Sequence, residues 1–124
     1  MSEKQEKILY LCTCSEERSE MAHVPFVLAN AALAMDIQAT IVLQGNGVKI
    51  AQKGYADTMP RGGGFPPLKE LLASFIEQGG RIWVCGPCIK ERNIAESDLI
   101  EASSITAAGS VNLEAIESDA VFVF

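Results

Sequence analysis

Arg81-Ile82-Trp83-Val84-Cys85-Gly86-Pro87-Cys88 is the stretch on which the fold turns. Ile82 to Cys85 form a short apolar run, which reads as a buried strand. Gly86-Pro87 ends that strand. Pro87 suits the first turn of a helix, where its missing N–H has no partner to lose. A short helix is therefore expected to run to Arg92. Asn93 then ends it, because asparagine tolerates the left-handed conformation. A strand handed directly to a helix is the repeating unit of an α/β fold.

The neighbouring segments extend the same pattern in both directions. Upstream, Gly79-Gly80 stops a helix whose apolar stripe is Leu68, Leu71, Leu72, Phe75 and Ile76. Residues 57–67 hold Pro60, Gly62, Gly63, Gly64, Pro66 and Pro67 and read as a mobile surface loop. Gly45-Asn46-Gly47 turns the chain into a short helix, Val48 to Lys53, with Gly54 as its cap. Ala39 to Leu43 and Ile8 to Cys12 are two more apolar strands. Between them, Met21, Val24, Leu28, Ala31, Ala32 and Met35 recur at helical spacing. Pro25 must lie in the first turn of that helix or kink it. Downstream come a short strand near Ile105, a helix from Val111 to Glu117 and a last strand from Ala120 to Phe124.

The predicted order is β-α-β-α-α-β-α-β-α-β, in one domain over residues 1–124. Alternation of this kind implies an α/β fold with parallel strands, right-handed crossovers and helices on both sheet faces. The last strand is apolar and reaches the chain's final residue, so it leaves an open edge that invites subunit packing.

Composition narrows the function. The chain has 124 residues, 48% of them apolar, and a net charge of −6. Nucleic acid needs a basic surface that releases counterions, so it is not an expected partner. An anionic membrane is excluded on the same ground. The charged start Ser2 to Lys7 precedes only a five-residue apolar run, too short for a signal-peptide core. Val24 to Met35 is shorter than the roughly 20 residues of a membrane span. A cytoplasmic protein is expected, with its four cysteines serving as thiols and not as structural disulfides.

Those cysteines fall in two pairs, each just after a strand. Functional sites in parallel sheets form at the carboxyl ends of strands. Cys85 meets a helix N-terminus, where backbone N–H groups favour a thiolate and lower its pKa. Cys88 lies a turn further on, close enough to resolve a persulfide or mixed disulfide on Cys85. Cys12 and Cys14 point the same way if their strand continues through them. If the strands carrying the two pairs are neighbours, all four thiols face one crevice. A Cys-x-Cys pair is an unusual half-site for Zn²⁺ or iron–sulfur, so no metal and no other cofactor is expected. His23, the only histidine, reads as a polar surface group and less as a base. Gly45-x-Gly47 reads as a simple turn, since the rest of a phosphate-binding fingerprint is missing. Arg61 and Lys90 are candidate positive charges near the thiols. A thioredoxin fold does not fit Cys-Gly-Pro-Cys here, because no proline follows Pro87 to face the motif.

Val27 to Leu33 on the first helix, Gly47-Val48 after the second strand, and the Cys-Gly-x-Cys turn at Cys85 to Cys88 have a familiar order and spacing. So do the basic stretch Lys90 to Asn93 with Ile94 and the ending Asp119 to Phe124. Together they resemble the DsrE/DsrF-like family, which includes sulfur-relay subunits of the TusD type. The likeness runs through nearly the whole chain. It implies a three-layer α/β/α sandwich around a five-stranded, mainly parallel sheet, usually oligomeric. It also implies that the cysteine at the strand end, here Cys85, carries sulfur as a persulfide in members that act as relays. Members often have glycine where this chain has Asp36 and Asn93, and both substitutes tolerate a left-handed cap. Cys12 and Cys14 are not part of the family pattern.

Residues and resemblance together predict a cysteine-based sulfur carrier or sulfurtransferase-like protein. Cys85 accepts sulfane sulfur and Cys88 discharges or protects it. Cys12, Cys14, Gly45 and Gly86 are the expected substrate-binding residues. The expected partners are sulfur donor and acceptor proteins and further copies of the chain, as a trimer or hexamer. Two alternatives stay open. One is a small-ligand or partner-binding module in which loop 57–67 closes over the sheet edge. The other is a redox protein cycling a Cys85–Cys88 disulfide.

Overall fold

The structure is a computed structural model and describes residues 5–124, so the reading of Ser2 to Lys4 lies outside the described residues. Five strands form one sheet: β1 (Lys7–Cys12), β2 (Gln38–Leu43), β3 (Arg81–Cys85), β4 (Ser103–Thr106) and β5 (Ala120–Val123). Their order is β4-β3-β2-β1-β5, and every adjacent pair is parallel. Four α-helices connect them: α1 (Ser19–Ala34), α2 (Leu68–Glu77), α3 (Gly86–Glu91) and α4 (Ala108–Glu117). The α/β/α sandwich expected from the alternating pattern is the fold observed.

Strand order decides how thickly each sheet face is covered. From β1 to β4 the chain steps across the sheet in one direction, so right-handed crossovers put α1, α2 and α3 on one face. The return from β4 to β5 reverses direction and puts α4 alone on the other. The first face holds the main core, where Tyr10, Ile41, Leu43, Ile82 and Val84 meet Phe26 of α1, Phe75 of α2 and Ile89 of α3. Phe26 and Phe75 meet edge to face with centroids 6.3 Å apart. The buried residues of α2 are Leu68, Leu71, Leu72 and Phe75, the core of the expected stripe. Ala22, Ala29 and Ala32 let α1 approach the sheet closely.

The second face is thinner. Its α4 buries a single residue, Glu114, which binds Arg81 at 2.8 Å and Lys7 at 3.4 Å. Arg81 also lies over the Trp83 ring, 5.2 Å from its centroid. Charge pairing therefore ties α4 to Lys7 of β1 and Arg81 of β3. β3 is fully buried only on the side of Ile82 and Val84.

Other boundaries also differ from expectation. Pro25 lies inside α1, beyond its first turn, because the helix begins earlier, at Ser19. The expected helix from Val48 to Lys53 is a 3-10 segment, Gly45–Ala51. Within it Gly47 lies against the end of β1: a Cβ there would sit 2.2 Å from the Cys12 carbonyl oxygen. Asp36 and Asn93 do take the left-handed conformation, with φ of 63° and 55°. No helix among the described residues is long and apolar enough to cross a membrane.

Candidate functional site

The two cysteine pairs stand at the carboxyl edge of the sheet, but β2 separates β1 from β3. The turn after β2 thus comes between them. Gly45 has φ of +52°, a conformation open to glycine, and its α-carbon approaches the Thr13 carbonyl. On the other side, its N–H donates to Cys88 Sγ at 3.3 Å. Gly45 is therefore the hinge between the Cys12–Cys14 loop and the Cys85–Cys88 turn.

Cys85 is the last residue of β3 and Cys88 lies one turn into α3, both half-buried with free thiols. Gly86 lets α3 start against β4, since a Cβ there would lie 3.3 Å from Ile105 Cγ2. Burial, followed by a hydrogen bond to Cys88, pushes the Cys85 thiol up in pKa, and the Arg92 charge only partly opposes this. The lowered pKa expected for Cys85 is thus not observed. α3 has six residues, and Pro87 gives no N–H, so little helix field offsets the loss of water around the sulfur.

Arg92 is the cation that sequence reasoning did not single out. Its Nη1 donates to the Cys88 carbonyl at 3.2 Å and its Nε to Asn46 Oδ1 at 3.1 Å. Asn46 also hydrogen-bonds Glu17, so one bridge ties α3, the Gly45 turn and the segment after Cys14. Arg92 lies one turn beyond Cys88, an i, i+4 spacing that was visible in the sequence. Lys90 lines an apolar groove of about 470 Å³ beside Gly86, Pro87, Ile89, Ile94 and Ile105.

Cys12 and Cys14 are 0% and 2% exposed. The Cys12 thiol donates to the Cys14 carbonyl at 3.5 Å and also hydrogen-bonds the Cys14 sulfur. That bond lowers Cys14 to about 7, while the same bond and burial hold Cys12 firmly protonated. The most acidic thiol shift of the four thus belongs to the pair outside the family pattern. The pair should release one proton near pH 7 and keep the second well above the usual thiol range. Ultraviolet thiolate absorbance is expected to show this step in the wild type and to lose it in Cys14→Ser. Cys14's contribution to stability is present above the ordinary thiol pKa of about 8.5 and is lost as pH falls through about 7. Cys12 acts oppositely above that range, where only the unfolded chain ionises it.

His23 is not a surface group. It is fully buried; its Nδ1 donates to the Ser19 carbonyl at 2.7 Å, and its ring packs on Gly62. Burial under the glycine loop excludes it as a solvent-exposed base. Loop 57–67 packs on the start of α1, where Ser19 Oγ donates to the Pro60 carbonyl at 2.7 Å. Arg61, in that loop, is exposed. Among the described residues, no group of three or more His, Cys, Asp or Glu side chains is placed to hold a metal ion.

A parallel α/β sandwich carrying a Cys-Gly-x-Cys turn at the end of its third strand defines the class. A family model for the DsrE/DsrF-like family matches residues 6–124, and the chain belongs to that family. It is 33% identical to the uncharacterised protein MJ0989 of Methanocaldococcus jannaschii, over 95% of this chain and 99% of that one. It is 30% identical to the uncharacterised MJ0760 of the same organism over 85% of this chain, which spans only 38% of that longer protein. The Escherichia coli ychN protein shares the fold with a TM-score of 0.80 at 19% identity, covering 97% and 100% of the two chains. MTH1491 from Methanobacterium thermoautotrophicum, a protein of unknown function, superposes with a TM-score of 0.71 at 13% identity, covering 98% and 100%.

Proposed function

We propose that this protein is a cysteine-based sulfur carrier whose Cys85–Cys88 dithiol takes sulfane sulfur from a donor protein and hands it to an acceptor. The observation that carries this reading is the pairing of two half-buried thiols in mutual hydrogen-bond contact at the sheet's carboxyl edge. A persulfide needs a nucleophilic thiolate to form and a second thiol or partner to leave. Two free thiols are present in one turn. Family membership supports sulfur-relay work of this kind. The partners in this reading are cytoplasmic sulfur donor and acceptor proteins.

Incubation with a small-molecule persulfide followed by intact-mass analysis tests the proposal. The wild type is expected to gain one sulfur atom. The double variant Cys85→Ser/Cys88→Ser is expected to gain none, despite retaining Cys12 and Cys14. No gain on the wild type, or an undiminished gain on the double variant, refutes the reading.

The proposal includes assembly into a homo-oligomer, a trimer or hexamer. What supports it is the apolar surface that α4 leaves uncovered: Leu113, Ile116 and Val123 are 64%, 80% and 68% exposed. These residues stand on α4 and on β5, an edge strand.

A further inference from the structure

The carrier reading uses Cys85 and Cys88 and leaves the buried pair, Cys12 and Cys14, without a role. We propose that this pair is a binding site for one soft monovalent cation, Cu(I), held between the two sulfurs. The inference is independent of the sulfur-carrier reading.

Geometry carries the argument. Burial alternates along Cys12, Thr13 and Cys14, so both sulfurs enter the core while Thr13 faces outward. The Cys12 thiol hydrogen-bonds the Cys14 carbonyl at 3.5 Å and also the Cys14 sulfur. The proton between the sulfurs marks the position that a bridging two-coordinate cation takes. Neighbouring segments fix the backbone around the pair. Gln44 N–H donates to the Cys12 carbonyl at 3.0 Å and Thr13 N–H to the Phe124 carbonyl at 3.1 Å. Gly47 and Gly45 pack on the Cys12 and Thr13 carbonyls. Folding, and not the ion, thus brings the sulfurs together, which lowers the ordering cost of binding.

The donor set selects the ion. Thiolates are soft ligands and favour Cu(I). Structural Zn²⁺ and iron–sulfur sites ask for four protein ligands. Among the described residues, no third His, Cys, Asp or Glu joins the pair. Burial of Cys12 and Cys14 keeps out the waters that a harder ion would retain. On binding, bonds form from Cu(I) to Cys12 Sγ and Cys14 Sγ, and the protons that the thiols hold pass to the buffer. Copper stays in the +1 state and no electron moves. The complex has one net negative charge. Cys14 N–H donates to Cys12 Sγ and the Arg18 charge acts on Cys14, and both stabilise that complex. The Glu17 charge opposes it, but that carboxylate already accepts from Ser15 N–H at 3.0 Å, from Ser15 Oγ at 3.1 Å and from Asn46.

The full chain carrying Cys85→Ser/Cys88→Ser isolates the buried pair for the test. Loaded anaerobically with Cu(I) and then exposed to the chelator bathocuproine disulfonate, it is expected to retain one copper ion per chain. Loaded with Zn²⁺ and exposed to a chelator, it is expected to retain none. X-ray absorption at the copper edge should show two sulfur neighbours and no nitrogen or oxygen. Adding Cys12→Ala or Cys14→Ala should abolish retention, with circular dichroism checking the fold. If neither alanine variant folds, the ligand count at the copper edge of the folded parent decides. No retained copper, a third ligand on it, zinc held as firmly, or undiminished retention in a folded alanine variant overturns the proposal. Sulfur gain is read on the wild type in a separate assay, so the carrier reading and the copper site fail independently.

Discussion

Gly47→Ala is expected to destabilise the protein by about 3 kcal/mol, at the upper end for overpacking a crowded site. The added methyl would sit 2.2 Å from the Cys12 carbonyl oxygen and 3.0 Å from its carbon. These are backbone atoms at the end of β1, paired on one side with β2 and on the other with β5. They cannot swing aside as a flexible side chain does. The 3-10 turn must move instead, and it carries Gly45 and Asn46, the contacts of Cys88 and Arg92. Loss of stability should therefore come with disturbance of the Gly45–Cys88 contact. Urea unfolding checks the loss of stability. A variant as stable as the wild type would show that the turn adapts and that its geometry does not depend on Gly47.

Light scattering at micromolar concentration is expected to give a mass that is a multiple of the 13.3 kDa chain. Ile116→Glu combined with Val123→Lys is expected to return the protein to monomers. Burying a large aliphatic side chain is favourable by about 1.5–3 kcal/mol, and each 1.4 kcal/mol is a factor of ten in affinity. Two charges placed on that surface should thus weaken association on the order of a hundredfold or more. Neither side chain is buried within the chain, with 80% and 68% of their surfaces exposed, so folding should be retained. Circular dichroism of the variant checks that condition. A stable wild-type monomer across the range would refute the oligomer.

Much of the fold was legible because its signals are local. The alternation of strands and helices follows from apolar runs and helical spacing, as in Leu68, Leu71, Leu72 and Phe75, all buried on α2. The left-handed caps at Asp36 and Asn93 follow from residue chemistry alone. Pro25 was harder to place, because whether a proline lies in the first turn depends on where the helix begins. That start rests on a polar segment, Glu16 to Glu20, with no apolar period. His23 looked like a surface residue because nothing local shows that a glycine loop some forty positions later packs against its ring.

By itself, the sequence determined the parallel α/β architecture, the family, and the placement of both cysteine pairs at one edge of the sheet. Each depends on short-range periodicity or on motifs contiguous in the chain. The tertiary structure alone decided which groups surround the thiols. Strand order β4-β3-β2-β1-β5 places the Gly45 turn between the pairs and its N–H on Cys88. It also leaves α4 alone on the second face. Thiol acidity follows from these placements, since desolvation and hydrogen bonding act through space and not along the chain. For that reason the sequence pointed to Cys85 as the acidic thiol, while the folded chain raises Cys85 and lowers the buried Cys14 to about 7.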